Sequence, residues 1–176
     1  MRKLVIALSI AASVTILLPQ IASAGTAMFN KDMQGSKMAL DKQCMPPAVM
    51  VGVVYSDRGG TDAMDAASAI CYSKQRGEFE IPNSDFGDRA KVRAKCNRDT
   101  EYVWGIAYKD RVDSDEADGV TVICRNKKSG SQRIVNVPDL AGGRAWMQFT
   151  GANAIGISCN DRQDSDSVDG CTVIVK

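Results

Sequence analysis

The sequence predicts an all-β domain of three similar sheets about a pseudo-threefold axis, stapled by disulfides. Three observations carry this prediction. One phrase recurs three times, the six cysteines follow the recurrence, and no amphipathic helical stretch of useful length follows residue 24. From Gly52 the chain reads GVVYSDRGGTDAMDAASAIC, from Gly105 GIAYKDRVDSDEADGVTVIC, and from Gly156 GISCNDRQDSDSVDGCTVIV. A period near fifty residues indicates one supersecondary unit used three times.

The chain opens on an export signal. Arg2 and Lys3 precede an uncharged apolar run from Leu4 to Leu18, Pro19 breaks it, and Ala22-Ser23-Ala24 fits a small-residue cleavage site. Residues 1–24 are therefore expected to be removed. The run is short for a membrane span and nothing later resembles one, so no membrane span is expected after cleavage. Residues 25–176 are the length of a single domain. Its three repeats cover about 44–95, 96–146 and 147–176, with an N-terminal strand drawn from 25–43. That strand is expected to close the first sheet. Losing Arg2 and Lys3 turns the net charge of +1 into about −1. No basic field remains to attract nucleic acid.

Each repeated phrase reads as a hairpin. The first strands are Val49–Tyr55, Val103–Tyr108 and Ala154–Cys159; the returning strands are Ala67–Tyr72, Val120–Cys124 and Cys171–Val175. The second and third return strands are rich in Val, Ile and Thr, which suit a pleated surface. If Cys159 faces Cys171, then Ile157 faces Val173 and Ile155 faces Val175. The same register sets Ile106 opposite Val122 and Trp104 opposite Cys124. Between hairpins, Phe79–Pro82 and Ile134–Pro138 alternate, and Lys91–Cys96 and Trp146–Phe149 lead into the next hairpin. Each unit thus supplies three or four strands.

The six cysteines all lie in the exported part, which reads as a disulfide framework. The repeat selects among the pairings. Cys44 and Cys71 occupy places equivalent to Cys96 and Cys124. In the third repeat those places hold Met147 and Val175, while Cys159 and Cys171 appear where the second has Tyr108 and Val120. One pair vanishes and another appears, so the predicted bonds are Cys44–Cys71, Cys96–Cys124 and Cys159–Cys171. Zinc spacing and histidine are both absent.

The order Cys44, Gly52, Thr61–Asp65, Cys71 resembles a repeat of the vitelline membrane outer layer protein family. So does Cys96, Gly105, Ser114–Gly119, Cys124; the third copy matches at Gly156 and Asp164–Gly170. The resemblance spans Cys44 to Val175 and implies three Greek-key sheets packed as a β-prism. The family's Trp-Gly-x-Trp phrase is missing, with only Trp146 near its place. The resemblance also implies non-catalytic binding outside the cell.

The candidate sites are acidic and aromatic. Asp110, Asp113, Asp115 and Asp118, and again Asp161, Asp164, Asp166 and Asp169, place several carboxylates on one loop, a donor set that suits calcium. The competing reading makes them turn caps, since the fold must build this loop three times. Repeat one has Gly60 where the others have Asp113 and Asp164, and should bind a cation worst. Trp146 and Phe149 are candidates for stacking on a ligand, whereas Trp104, equivalent to Val51 and Ile155, is expected in the core. The absence of histidine excludes a Ser-His or Cys-His nucleophile. The predicted function is a secreted or periplasmic, non-enzymatic protein that binds a glycan or an envelope or extracellular protein, without a cofactor. A coat component, an inhibitor-like protein, a calcium-dependent adhesin and a glycosidase are the alternatives. An aromatic beside polar groups in one cleft would favour a glycan; a continuous apolar patch would favour a protein.

Overall fold

The computed structural model describes residues 25–30, 38–57, 63–87, 90–110, 117–138, 146–150, 154–161 and 168–176. The predicted signal segment and the middles of the acidic loops lie outside them. Among the described residues there are twelve strands and one 3-10 turn, Ser84–Phe86. Strands β1 (Thr26–Ala27) and β2 (Met38–Gln43) precede the first hairpin, β3 (Val49–Asp57) with β4 (Met64–Ser73). Then come β5 (Gly77–Glu80), β6 (Lys91–Lys95), β7 (Glu101–Asp110) and β8 (Ala117–Asn126). The chain finishes with β9 (Gln132–Ile134), β10 (Trp146–Thr150), β11 (Ala154–Asp161) and β12 (Val168–Val175).

Three four-stranded antiparallel sheets result, ordered β5-β4-β3-β6, β9-β8-β7-β10 and β1-β12-β11-β2. Each sets the hairpin in the middle; in the first two sheets the next two strands form the edges, which is the Greek-key order. The sheets pack in a ring: β3 lies on β8, β7 on β12, and β11 on β4. The returning strands β4, β8 and β12 are almost wholly buried. The shared core takes Val53 and Tyr55, Ile106 and Tyr108, and Ile157 and Cys159 from the first hairpin strands.

The N-terminal strands close the third sheet, not the first. β1 pairs with β12 and β2 with β11, so they supply the two edge strands that β5 and β6 supply to the first sheet. The chain is a circular permutation of its own repeat, which a linear reading of the repeat boundaries hides.

The repeat glycines answer to one contact. Gly52 pairs with Lys95, Gly105 with Thr150, and Gly156 with Gln43. A Cβ at these glycines would collide with the carbonyl oxygens of Ala94, Phe149 and Lys42 respectively. Only glycine lets the fourth strand come this close. Just before each glycine the first strand carries a bulge. The bulge corrects two predicted pairs: Val103, not Trp104, faces Cys124, and Ala154, not Ile155, faces Val175. The pairs Cys159–Cys171, Ile157–Val173 and Ile106–Val122 stand as predicted.

The disulfides join Cys44 to Cys71, Cys96 to Cys124, and Cys159 to Cys171. The first two tie the end of one sheet's last strand to the return strand of the next sheet. The strand register sets Met147 opposite Tyr108, so it does not hold the position of Cys44 and Cys96, which follow the partners of the repeat glycines. The residue that follows Thr150 in the sequence is a glycine. The junction between the second and third sheets therefore lacks this staple. The first sheet is braced differently. Its two edges are laced by Glu80 to Lys91 and Arg93, at 3.2 and 2.6 Å, and by Glu78 to Lys95 at 2.9 Å. Beneath them Val51, Val54, Ala66, Ile70 and Phe86 form a small second core.

Candidate functional site

The two ends of the molecule differ in chemistry. One end is where β3 leads to β4, β7 to β8 and β11 to β12. There the return strands have a second bulge, occupied in turn by Asp65, Asp118 and Asp169. All three are buried, at most 5% exposed, and each is engaged with neighbouring groups. Asp118 and Asp169 are thus interior residues of the bulge, not surface groups. The structure describes only the backbone of Asp110 and Asp161, at the ends of β7 and β11. Asp113, Asp115, Asp164 and Asp166 lie outside the described residues. Lys109, one ladder position from the Asp118 bulge, is 1% exposed and likewise engaged.

Both aromatic candidates lie on β10. Trp146 pairs through its backbone with Lys109, towards the acidic end. Phe149 is half-buried, stacked at 6.0 Å on the buried ring of Tyr108. Trp104 corrects the expectation of a core residue. It sits on the bulge, half-buried, with the edge of Tyr102 at 6.1 Å and the Arg125 guanidinium 4.5 Å over its ring. Val51 occupies the same bulge of the first sheet but is buried in the small second core with Phe86, so the equivalent positions share the bulge and differ in what covers them.

The opposite end, the base, holds a cavity of about 590 Å³, within the range of small-ligand pockets. Its lining draws on all three sheets at equivalent places: Met50, Val103 and Ala154 stand at the same position of the repeat, each buried. The series shrinks from Met to Val to Ala, so the third repeat leaves room where the first fills it. Pro46 and Pro47, joined by a cis peptide bond, continue the wall towards Val49. Met45 and Val49 are 60% and 54% exposed, so apolar surface runs from the cavity onto the outside. Tyr102 and Ile155 complete the apolar wall.

Charge lies on the rim: Arg98, Lys127, Lys176 and Glu101. Arg133 donates two hydrogen bonds of 2.7 Å to Glu101, and the Asn97 amide a third at 2.8 Å. The Arg133 hydrogen bond, aided by Asn97 and opposed by burial, holds the Glu101 carboxyl below its ordinary 4.5. The same partner raises Arg133. The Arg98 guanidinium lies 3.9 Å over the Tyr72 ring, and Lys127 donates to the Arg98 carbonyl at 2.6 Å. Cys96, Glu101 and Cys124 also converge here, but their sulfurs form a disulfide and cannot ligate a metal.

No family model and no curated protein matches the sequence. Among solved structures, a mannose-binding lectin from champedak superposes over 89% of this chain and 99% of its own, with a TM-score of 0.50 and 11% identity. The fold is a β-prism. Identity this low speaks for the prism's architecture alone. The cavity residues escaped the sequence reading, although a signal was present. Aligning Met50, Val103 and Ala154 by the repeat displays the vanishing side chain.

Proposed function

We propose that this β-prism is an exported, non-catalytic recognition module that engages a protein partner through the base of the prism. The observation that carries this reading is the continuous apolar surface from Met45 and Val49 into the cavity floored by Met50, Val103 and Ala154. Exposed apolar patches of this kind mark interaction sites, and an anchor side chain buried in a pocket supplies much of an interface's energy. Three disulfides support an oxidising compartment, the periplasm or the exterior. The resemblance of the repeats to vitelline membrane outer layer proteins supports the same setting.

Glycan binding is the second reading. Tyr102 beside Arg98 and Glu101 on the cavity wall favours it, and the champedak neighbour is named for binding mannose. Photo-crosslinking from position 49 in the native host, followed by direct binding of the purified captured protein, tests the first reading. A glycan array with the same protein tests the second. Array binding that Tyr102→Ala abolishes, with no protein captured at position 49, would replace the first reading by the second.

A further inference from the structure

We infer that the partner's contact segment is acidic, presenting an apolar side chain between carboxylates to the base of the prism. This deepens the proposed function and rests on it. The turns at the base are cationic: Lys74, Arg76, Arg98, Lys127, Lys128 and Lys176 are all exposed there. Asp99 is the exposed acid among the described base turns, and it lies 3.6 Å from the Arg98 guanidinium. The neighbouring carboxylates are already engaged, Glu101 by Arg133 at 2.7 Å and Glu78 by Lys95 at 2.9 Å. The cavity mouth therefore presents positive charge around an apolar floor.

Two of the arginines are held in place. Arg98 lies over Tyr72 at 3.9 Å and Arg76 over Phe79 at 4.2 Å. Stacking restrains the guanidinium; at Arg76 it leaves edge donors for an incoming carboxylate, whereas at Arg98 that carboxylate displaces the exposed, weak pairing with Asp99 at 3.6 Å. A net charge near neutrality conceals this collar, because the acids are concentrated in the repeated phrases of the sequence. Complementary charge steers encounter and selects partners more than it adds affinity.

The test uses capped peptides with a central Leu flanked on each side by two Glu, two Gln or two Lys. Each is titrated into the labelled protein at about 20 mM and about 300 mM salt, which changes the screening length several-fold. The Glu peptide should shift the resonances of Val49, Met50 and Tyr102 and bind roughly five-fold tighter than the Gln peptide. The Lys peptide should bind least. The preference should shrink at high salt and vanish in Arg98→Gln/Lys127→Gln, whose exposed sites leave folding intact, as a melting curve would verify. Equal binding by all three peptides overturns the acidic preference and leaves the protein-binding reading standing. Binding by none of them, or shifts confined to other faces, overturns both. Self-association at low salt that the same double variant abolishes assigns the base to a second copy and also overturns the proposal.

Discussion

The side-chain amide of Asn30 donates to the Tyr108 hydroxyl at 2.8 Å, and the same nitrogen lies 3.2 Å from the Cys171 carbonyl oxygen. One residue near the start of the described chain thus ties the closing segment of the third sheet to the second. Its counterpart in the first sheet, Asn83, donates to Ala67, the residue equivalent to Cys171, at 3.1 Å. In the second sheet the same place holds Val137, and the polar tie is absent. Asn30→Ala would leave buried polar groups short of a partner, at about 1–3 kcal/mol. A melting temperature lower by several degrees is the expected outcome. An unchanged melting temperature would show that the N-terminal segment contributes little to closing the prism.

Gly105→Ala should be among the most costly single changes. The new methyl meets the Phe149 carbonyl, part of a paired strand that cannot move alone. A loss of about 2–4 kcal/mol is expected in denaturant unfolding. A loss within the range of ordinary surface changes would contradict the close approach.

The disulfides should differ in worth. Cys159 and Cys171 are 12 residues apart, whereas Cys96 and Cys124 are 28 apart. On chain entropy, removing the first pair costs about 3 kcal/mol and removing the second about 3.5 kcal/mol. The second pair also ties two sheets together, so Cys96→Ala/Cys124→Ala should unfold more readily than Cys159→Ala/Cys171→Ala in paired urea titrations. The reverse order would deny that the junction staple matters.

Acid should weaken the prism through Glu101 and Glu80. Burial pushes Glu80 upwards, but its hydrogen bonds from Arg93 and Lys91 prevail and its carboxyl is lowered. Glu101 is lowered by Arg133. A lowered carboxyl stabilises the fold above its unfolded value, near 4.5, and that contribution fades as pH falls through the folded value. Glu101→Gln should therefore flatten the fall in melting temperature below about pH 4.5 while leaving it little changed in slope above. An identical acid profile in the variant would remove Glu101 as a contributor.

Much of the prism was legible because the repeat is a physical unit. Three copies of a hairpin predict three sheets, and the swap of Cys96 and Cys124 for Cys159 and Cys171 predicts the pairing. What stayed hidden depends on contacts distant in sequence. That Met38–Gln43 belongs beside β11 follows from ring closure, which the first repeat cannot announce. The outward turn of Trp104 depends on a bulge, and bulges leave no mark in a pattern of apolar residues. The base cavity arises between sheets, where no single segment records it. The aspartates drew attention by their density, yet Asp118 and Asp169 are buried parts of the strand bulges.

The base of the prism is the centre of this account, and Val49 tests it most directly. Its side chain is 54% exposed beside the cavity, so Val49→Asp should leave the melting temperature within about 1 °C. The decisive measurement is the calorimetric affinity of the protein captured at position 49 for wild type and for this variant. A loss of at least roughly ten-fold is predicted, as expected for an unpaired charge at an apolar anchor. Equal affinity in the two proteins would contradict recognition through the base.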